Sequence, residues 1–154
     1  MNPAPVFHIA EPPAVYLERP PLVVDCSMIA GLVFREEWFE TAKGHLHGRA
    51  LHAPHLLHCE ITSVALKKHR RGEAHALSGL TEAAGMAIEL HPIDPMATLD
   101  LAHRYQLSAY DAAYLWLAAD LMCPLATFDD RLATAAQAHL SAWPEPQAQH
   151  GPSA

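Results

Sequence analysis

Four short apolar runs, each set apart from the next by enough chain for one or two helices, are the feature that most narrows what this sequence can fold into. Leu22-Val23-Val24 is the purest of them and reads as a buried strand ending at Asp25. Leu51-His52-Ala53, Ala87 to Leu90 and Pro124 to Thr127 supply three further strands. Between them lie helical patterns over Ser27 to Phe34, Glu36 to His47, Glu73 to Gly85, Pro95 to Tyr105 and Ser108 to Leu121. Pro54 is well suited to open a helix running to about His69, and Asp129 to His139 forms the last helix. Strands separated by helices need right-handed crossovers, which build a parallel sheet covered on both faces. The expected class is therefore α/β, a three-layer α/β/α sandwich with a short central parallel sheet. In such sheets the ligand site lies outside the carboxyl ends of the strands.

The chain of 154 residues fits one domain, and a 51% hydrophobic, 18% charged composition suits a packed fold rather than a disordered chain. Prolines mark an irregular leader over residues 1–20 and a loose tail over 142–154, which leaves 21–141 as the folded unit. No apolar run approaches the ~20 residues that a membrane span needs. Pro3, Pro5, Pro12 and Pro13 break up any signal-peptide pattern, so a cytoplasmic location is expected. Cys26, Cys59 and Cys123 form no CxxC pair and read as small side chains in a reducing compartment. A net charge of −7 excludes binding of nucleic acid by bulk positive charge. Any such role requires a local basic patch or recruited cations.

Four acids stand where chemistry is expected. Asp25 ends the first strand, although it or Ser27 would equally cap the next helix. Glu60 lies too deep in its helix to be a cap, and falls roughly 40° from Leu56 and Val64 on the apolar arc that Leu57 and Ile61 complete. A carboxylate there must be paired, protonated or metal-bound. Asp111 follows Ser108 in a capping-box pattern at the head of a very apolar helix. Asp129 and Asp130 follow the last strand; Asp130 is the preferred cap and Asp129 the preferred ligand. No single acid is specific, but four carboxylates converging within ~5 Å would repel strongly unless they held a hard cation such as Mg²⁺ or Mn²⁺.

Other features compete for attention. Lys67, Lys68, Arg70 and Arg71 close the helix of Glu60, either as a solvated end favoured by the helix dipole or as a phosphate-steering patch. His52, His55, His58 and Cys59 resemble transition-metal ligands, with His55 and Cys59 at i,i+4 spacing. Twelve scattered histidines and the want of a second ligand cluster weigh against zinc. Trp38 and Phe39 read as core packing. There is no GxGxxG or GxxxxGK[ST] to cradle a nucleotide.

Four segments together carry a family resemblance: Leu22-Val23-Val24-Asp25-Cys26-Ser27, Ala53-Pro54-His55-Leu56 continuing to Glu60-Ile61, Leu107 to Leu115, and Leu125 to Leu132. The linking stretch His91-Pro92-Ile93-Asp94-Pro95 adds to it. In this order, over about residues 22–140, they resemble the PIN domain, and most closely VapC-type toxins of toxin–antitoxin pairs. The resemblance implies a parallel sheet with its acids at one end and Mg²⁺- or Mn²⁺-dependent endoribonuclease activity. It also implies inhibition by a small antitoxin and toxin homodimers. Asp25, Glu60, Asp111 and Asp129 occupy the family's acidic positions, and Ser27 and Thr127 its small hydroxyl positions beside the metal. Cys26 stands where Ala is more usual, and the Pro-rich leader is longer than the family commonly shows. A dehalogenase-like phosphatase is disfavoured because Ser27 replaces its second Asp. A PIN-like module that only binds a partner and a DNA-directed nuclease are the remaining alternatives.

Overall fold

The computed structural model describes residues 19–142. The Pro-rich leader and the tail therefore fall almost wholly outside the described residues. The described chain runs β1 (Pro21–Val24), α1 (Cys26–Val33), α2 (Phe39–Leu46), β2 (Ala50–Pro54), α3 (Leu56–Arg70), α4 (Ala76–Gly85), β3 (Ile88–His91), α5 (Pro95–Tyr105), α6 (Ala109–Asp120), β4 (Leu125–Ala126) and α7 (Asp130–Leu140).

The strands form one parallel sheet in the order β3-β2-β1-β4. From β1 the chain steps outward to β2 and β3, then returns across the sheet to lay β4 on the other side of β1. That reversal makes the gap between the ends of β1 and β4 a topological switch point, where open α/β sheets bind ligands. Helices α1 to α4 pack together on one face, while α5, α6 and α7 form a second group whose α6 lies against β1 and β2. The expected three-layer arrangement is the observed one.

Burial explains the layers. Leu22, Val23 and Val24 are all buried, as a strand covered on both faces requires. On α3, Leu57, Ile61 and Ala65 form the buried stripe at i, i+4 spacing. Helix α6 is buried nearly all round through Ala112, Ala113, Tyr114, Leu115, Leu117 and Ala118, which makes it the central helix of its layer. Its start is fixed by Ser108, whose hydroxyl accepts from the Asp111 amide. Asp94 caps α5 in the same way, with Pro95 at the first helical position.

Several boundaries differ from the sequence expectation. Pro54 does not open α3 but ends β2, opposite His91 in the ladder, and the His55 amide extends that ladder by donating to the His91 carbonyl at 3.0 Å. A proline fits a strand end as well as a helix start, since its missing donor matters little at either place. Helix α2 begins at Phe39 rather than Glu36, because Arg35 takes a left-handed φ of 56° that ends α1 and the chain then turns. Residues 73–75 likewise stay out of α4. Asp129, not Asp130, caps α7.

Helices α1 and α4 approach closely at Gly79. A Cβ built there would lie 2.5 Å from the Phe34 ring and 2.7 Å from the Val33 carbonyl oxygen, so this crossing has no room for a methyl group. Gly79→Ala should cost about 1–3 kcal/mol despite its better helix propensity, read as a lowered urea midpoint. An unchanged midpoint would mean that the crossing is slack.

Candidate functional site

Asp25 is 5% exposed at the carboxyl end of β1 and holds the switch point together. Its Oδ1 accepts from the Met28 amide at 3.1 Å, which caps α1, and from the Ser27 hydroxyl at 2.6 Å. Its Oδ2 accepts from the Thr127 hydroxyl, which comes from just beyond β4. Ser27 Oγ in turn accepts from the Phe128 amide at 2.8 Å, and Thr127 Oγ1 accepts from the Asp129 amide at 2.9 Å. The two strand ends are thus tied by side chains where the short β4 ladder runs out. Ser27 and Thr127, expected from the sequence as supports, are the groups that donate to Asp25.

Glu60 enters from α3, where it sits beside the buried stripe rather than within it. The Tyr114 hydroxyl donates to its Oε2 at 2.5 Å. Tyr114 is 1% exposed and lies three residues after Asp111, on the same side of α6. A buried tyrosine hydroxyl needs a polar partner, and Glu60 is that partner. The sequence offered this signal, a tyrosine inside a very apolar helix, but not the identity of the partner. Asp111 shares a reciprocal pair with Ser108, whose hydroxyl donates to the aspartate Oδ2 at 2.8 Å and accepts from its amide at 3.0 Å.

The acids feel one another. Burial raises the proton affinity of Asp25, its hydroxyl and amide donors oppose the rise, and the charge of Asp111 adds to it. Burial likewise raises Glu60; the Tyr114 hydrogen bond opposes this, and the charges of Asp111 and Asp25 add to it. Cys26, next to Asp25 in sequence, has its thiol pushed up to about 12, by burial first and then by Glu60 and Asp25. It stays a neutral thiol and offers no nucleophile. Among the described residues, no lysine or arginine forms an ion pair with Asp25, Glu60, Asp111 or Asp129.

Asp25, Glu60 and Asp111 are therefore one electrostatic cluster. They are not drawn into a single tight shell: among the described residues, only His52, Glu89 and His91 bring three ligand atoms within 4.8 Å of one another. The expected ~5 Å convergence of four carboxylates is accordingly too tight for this structure. Asp129 stands at the rim, exposed, with Oδ1 accepting from the Leu132 amide at 2.8 Å and with Thr127 linking it to Asp25. Three of the four acids serve helix starts, and Glu60 alone has no such duty. A cap and a ligand are compatible roles, because a carboxylate offers about four lone-pair sites.

The remaining candidates divide. Lys68 is held by Glu36 at 2.6 Å and Glu73 at 2.8 Å, with its side chain only 14% exposed, so it is not a free phosphate contact. Lys67, Arg70 and Arg71 are exposed. Of His52, His55, His58 and Cys59, only His52 joins a ligand group, and it does so with residues of β3. Trp38 is not core: it is 37% exposed, with its ring 5.5 Å from that of Phe128. Its indole lies so close to Gly31 that an added Cβ would meet it at 2.3 Å. The pair flanks Ser27, whose carbonyl accepts from the indole N–H at 3.5 Å.

Comparison with known proteins agrees with this geometry. The PIN domain family model matches residues 22–138. Ribonuclease VapC9 of Mycobacterium tuberculosis is 32% identical over 120 residues, covering 76% of this chain and 92% of the relative. The VapC ribonuclease Mb0985 of Mycobacterium bovis matches to the same extent, 32% over 120 residues. Among solved structures, PAE2754 of Pyrobaculum aerophilum superposes with a TM-score of 0.61 at 20% identity, over 80% of this chain and 88% of that one. The sarcin–ricin-loop-cleaving toxin VapC20 of M. tuberculosis gives 0.57 at 15% identity, over 74% and 94%. With the four-stranded parallel sheet, the acids at its carboxyl end and relatives of this kind, the chain belongs to the PIN-domain family.

Proposed function

We propose that this chain is a metal-dependent endoribonuclease, the toxin half of a VapC-type toxin–antitoxin pair, acting in the cytoplasm as the folded unit 21–141. The observation that carries the reading is the unneutralised cluster: Asp25 is desolvated, Asp111 and Glu60 lie within its electrostatic reach, and no basic side chain among the described residues offsets them. Like charges gathered in low dielectric favour a divalent cation, and an all-oxygen donor set suits Mg²⁺ or Mn²⁺. Among the described residues no three of these acids bring oxygens within 4.8 Å of one another, which suits an ion that keeps several of its waters.

Asp25, Glu60 and Asp111 would hold the ion, with Asp129 at the rim. When bound, Mg²⁺ or Mn²⁺ supplies an acidified water and polarises the scissile phosphate. The chain's own groups position that chemistry. Ser27 and Thr127 fix both oxygens of Asp25, and Tyr114 fixes Glu60. The exposed Trp38–Phe128 pair offers faces on which an unpaired base can stack beside the acids. Lys67, Arg70 and Arg71 would steer the phosphate backbone. No helix among the described residues is long and apolar enough to cross a membrane. The relatives named VapC support an antitoxin partner for this chain; the homodimer is proposed from the family resemblance alone.

Purified protein should cleave single-stranded RNA with Mg²⁺ or Mn²⁺, leave 5′-phosphate ends, and stop when EDTA is added. Asp25→Asn should lower the rate by at least about 100-fold. Cleavage that survives EDTA would overturn the metal reading, and a preference for DNA in a parallel assay would overturn the substrate.

Stability supplies a second test. Asp25 and Glu60 bind protons more tightly in the fold than in the unfolded chain, so their ionisation opposes folding. The penalty is absent below the unfolded carboxylate range, grows as pH rises from that range to the raised values, and is constant above them. Metal-free Asp25→Asn should thus melt a few degrees above wild type at neutral pH, with the gain vanishing toward about pH 4. Adding Mg²⁺ should raise the melting temperature of wild type and leave the variant unmoved. A variant less stable than wild type at neutral pH would show that the hydrogen-bond network outweighs the desolvation.

Replacing Lys67, Arg70 and Arg71 by Gln should flatten the salt dependence of RNA binding by up to about two units of slope. An unchanged slope would remove the patch from the substrate path.

A further inference from the structure

His52, Glu89 and His91 form a cluster that the acid site does not use. The β2–β3 register sets His52 opposite Glu89 and Pro54 opposite His91. Residues at i and i+2 of a strand share a face, so the parallel register brings all three side chains to one side of the sheet. Ile88 and Leu90 point the other way, against Ile29, Leu57 and Ile61. The Nδ1 of His52 lies 3.0 Å from the Nε2 of His91. Of the Glu89 carboxylate, Oε2 lies 3.7 Å from the former and Oε1 3.8 Å from the latter.

Hydrogen bonding accounts for only part of this. One imidazole can donate to the other, but Glu89 is beyond hydrogen-bond reach of both. A metal accounts for all three contacts. Ligands about 2.0–2.1 Å from a tetrahedral zinc ion stand roughly 3.4 Å apart; the two nitrogens are 3.0 Å apart, each has a Glu89 oxygen within 3.8 Å, and one atom from each residue lies within 4.8 Å of the other two. Two imidazole nitrogens and one carboxylate oxygen are a borderline donor set, which suits Zn²⁺ and not the oxygen-seeking Mg²⁺. Both histidines are partly buried, with side chains 15% and 20% exposed, while Glu89 is 69% exposed and leaves the fourth position open to water.

We propose that His52, Glu89 and His91 bind one Zn²⁺ per chain, at a site separate from the acid cluster. Strand β3 lies two places from β1, roughly 10 Å across the sheet. The bound ion would clamp the edge strand β3 onto β2. It would also brace the start of α3, because the His91 carbonyl accepts from the His55 amide at 3.0 Å. Helix α3 carries Glu60, so the second site would stiffen one wall of the first.

Co²⁺ serves as the visible probe on the full chain, in excess Mg²⁺ to occupy oxygen-only sites. Wild type should show the intense absorption of four-coordinate cobalt, saturating at one equivalent and bleached by Zn²⁺. The Asp25→Asn variant should show the same band. The pair His52→Gln with His91→Gln should weaken cobalt binding by at least about 100-fold. Glu89→Gln alters only an exposed side chain, so it decides the matter if the double variant fails to fold; it should weaken binding by about 10-fold. Only a faint six-coordinate spectrum, undiminished binding in Glu89→Gln, or loss of the band in Asp25→Asn would overturn the proposal. The last result would place the ion at the acids, and RNA cleavage is read separately.

Discussion

The hydrogen bond from Thr127 to Asp25 joins the ends of two strands that the ladder alone barely connects. Strand β4 has two residues, and its register with β1 covers only Val23–Leu125 and Val24–Ala126. Past that point one long backbone bond, from the Asp25 amide to the Ala126 carbonyl at 3.3 Å, is the last before the chain diverges into two helices. The Asp25 side chain reinforces it, gathering two hydroxyls and an amide onto one carboxylate. The position of α1, the path from β4 into α7 and the place of Asp129 all follow from that junction. Because the junction is also the switch point of the sheet, the group that secures the fold is the one most exposed to the demands of a ligand.

Around it, helix-start chemistry and ligand chemistry use the same atoms. Asp25, Asp111 and Asp129 each receive an amide or hydroxyl at the head of a helix, where the dipole favours negative charge. Three helices that start near one end of the sheet therefore bring carboxylates there for local reasons. Glu60 is the exception, since nothing in α3 needs it. It satisfies the buried Tyr114 hydroxyl, but a neutral group would do that without the cost of placing a charge beside two other acids.

Much of this was legible in the sequence, and the failures have physical causes. Leu22-Val23-Val24 could only be a covered strand, and the order of strands and helices fixed the class. Asp25, Asp111 and Asp129 stood out by their places at the ends of elements, and Glu60 by its place among the apolar positions of its helix. Pro54 misled because a strand end and a helix start tolerate the same missing donor. Asp129 and Asp130 could exchange roles within one residue, the usual uncertainty at a helix boundary. Lys68 looked free because Glu73 returns to it only through the turn at Gly72, whose φ is 73°. Trp38 looked like core, yet Gly31 gives its ring a shelf at the surface. Tyr114, Glu89 and His91 depended on contacts between α6 and α3 and on the β2–β3 register, which no single segment encodes.

That one carboxylate both starts α1 and anchors the candidate site has an evolutionary side. Asparagine retains an oxygen for the Met28 amide, sheds the charge and turns the other oxygen into a donor that Thr127 must accept; under the proposed role of Asp25, so small a change would disarm the chain while keeping the cap of α1. A cell carrying a harmful copy would thus have a short route to a harmless, well-folded one, still shaped to engage whatever holds the original in check.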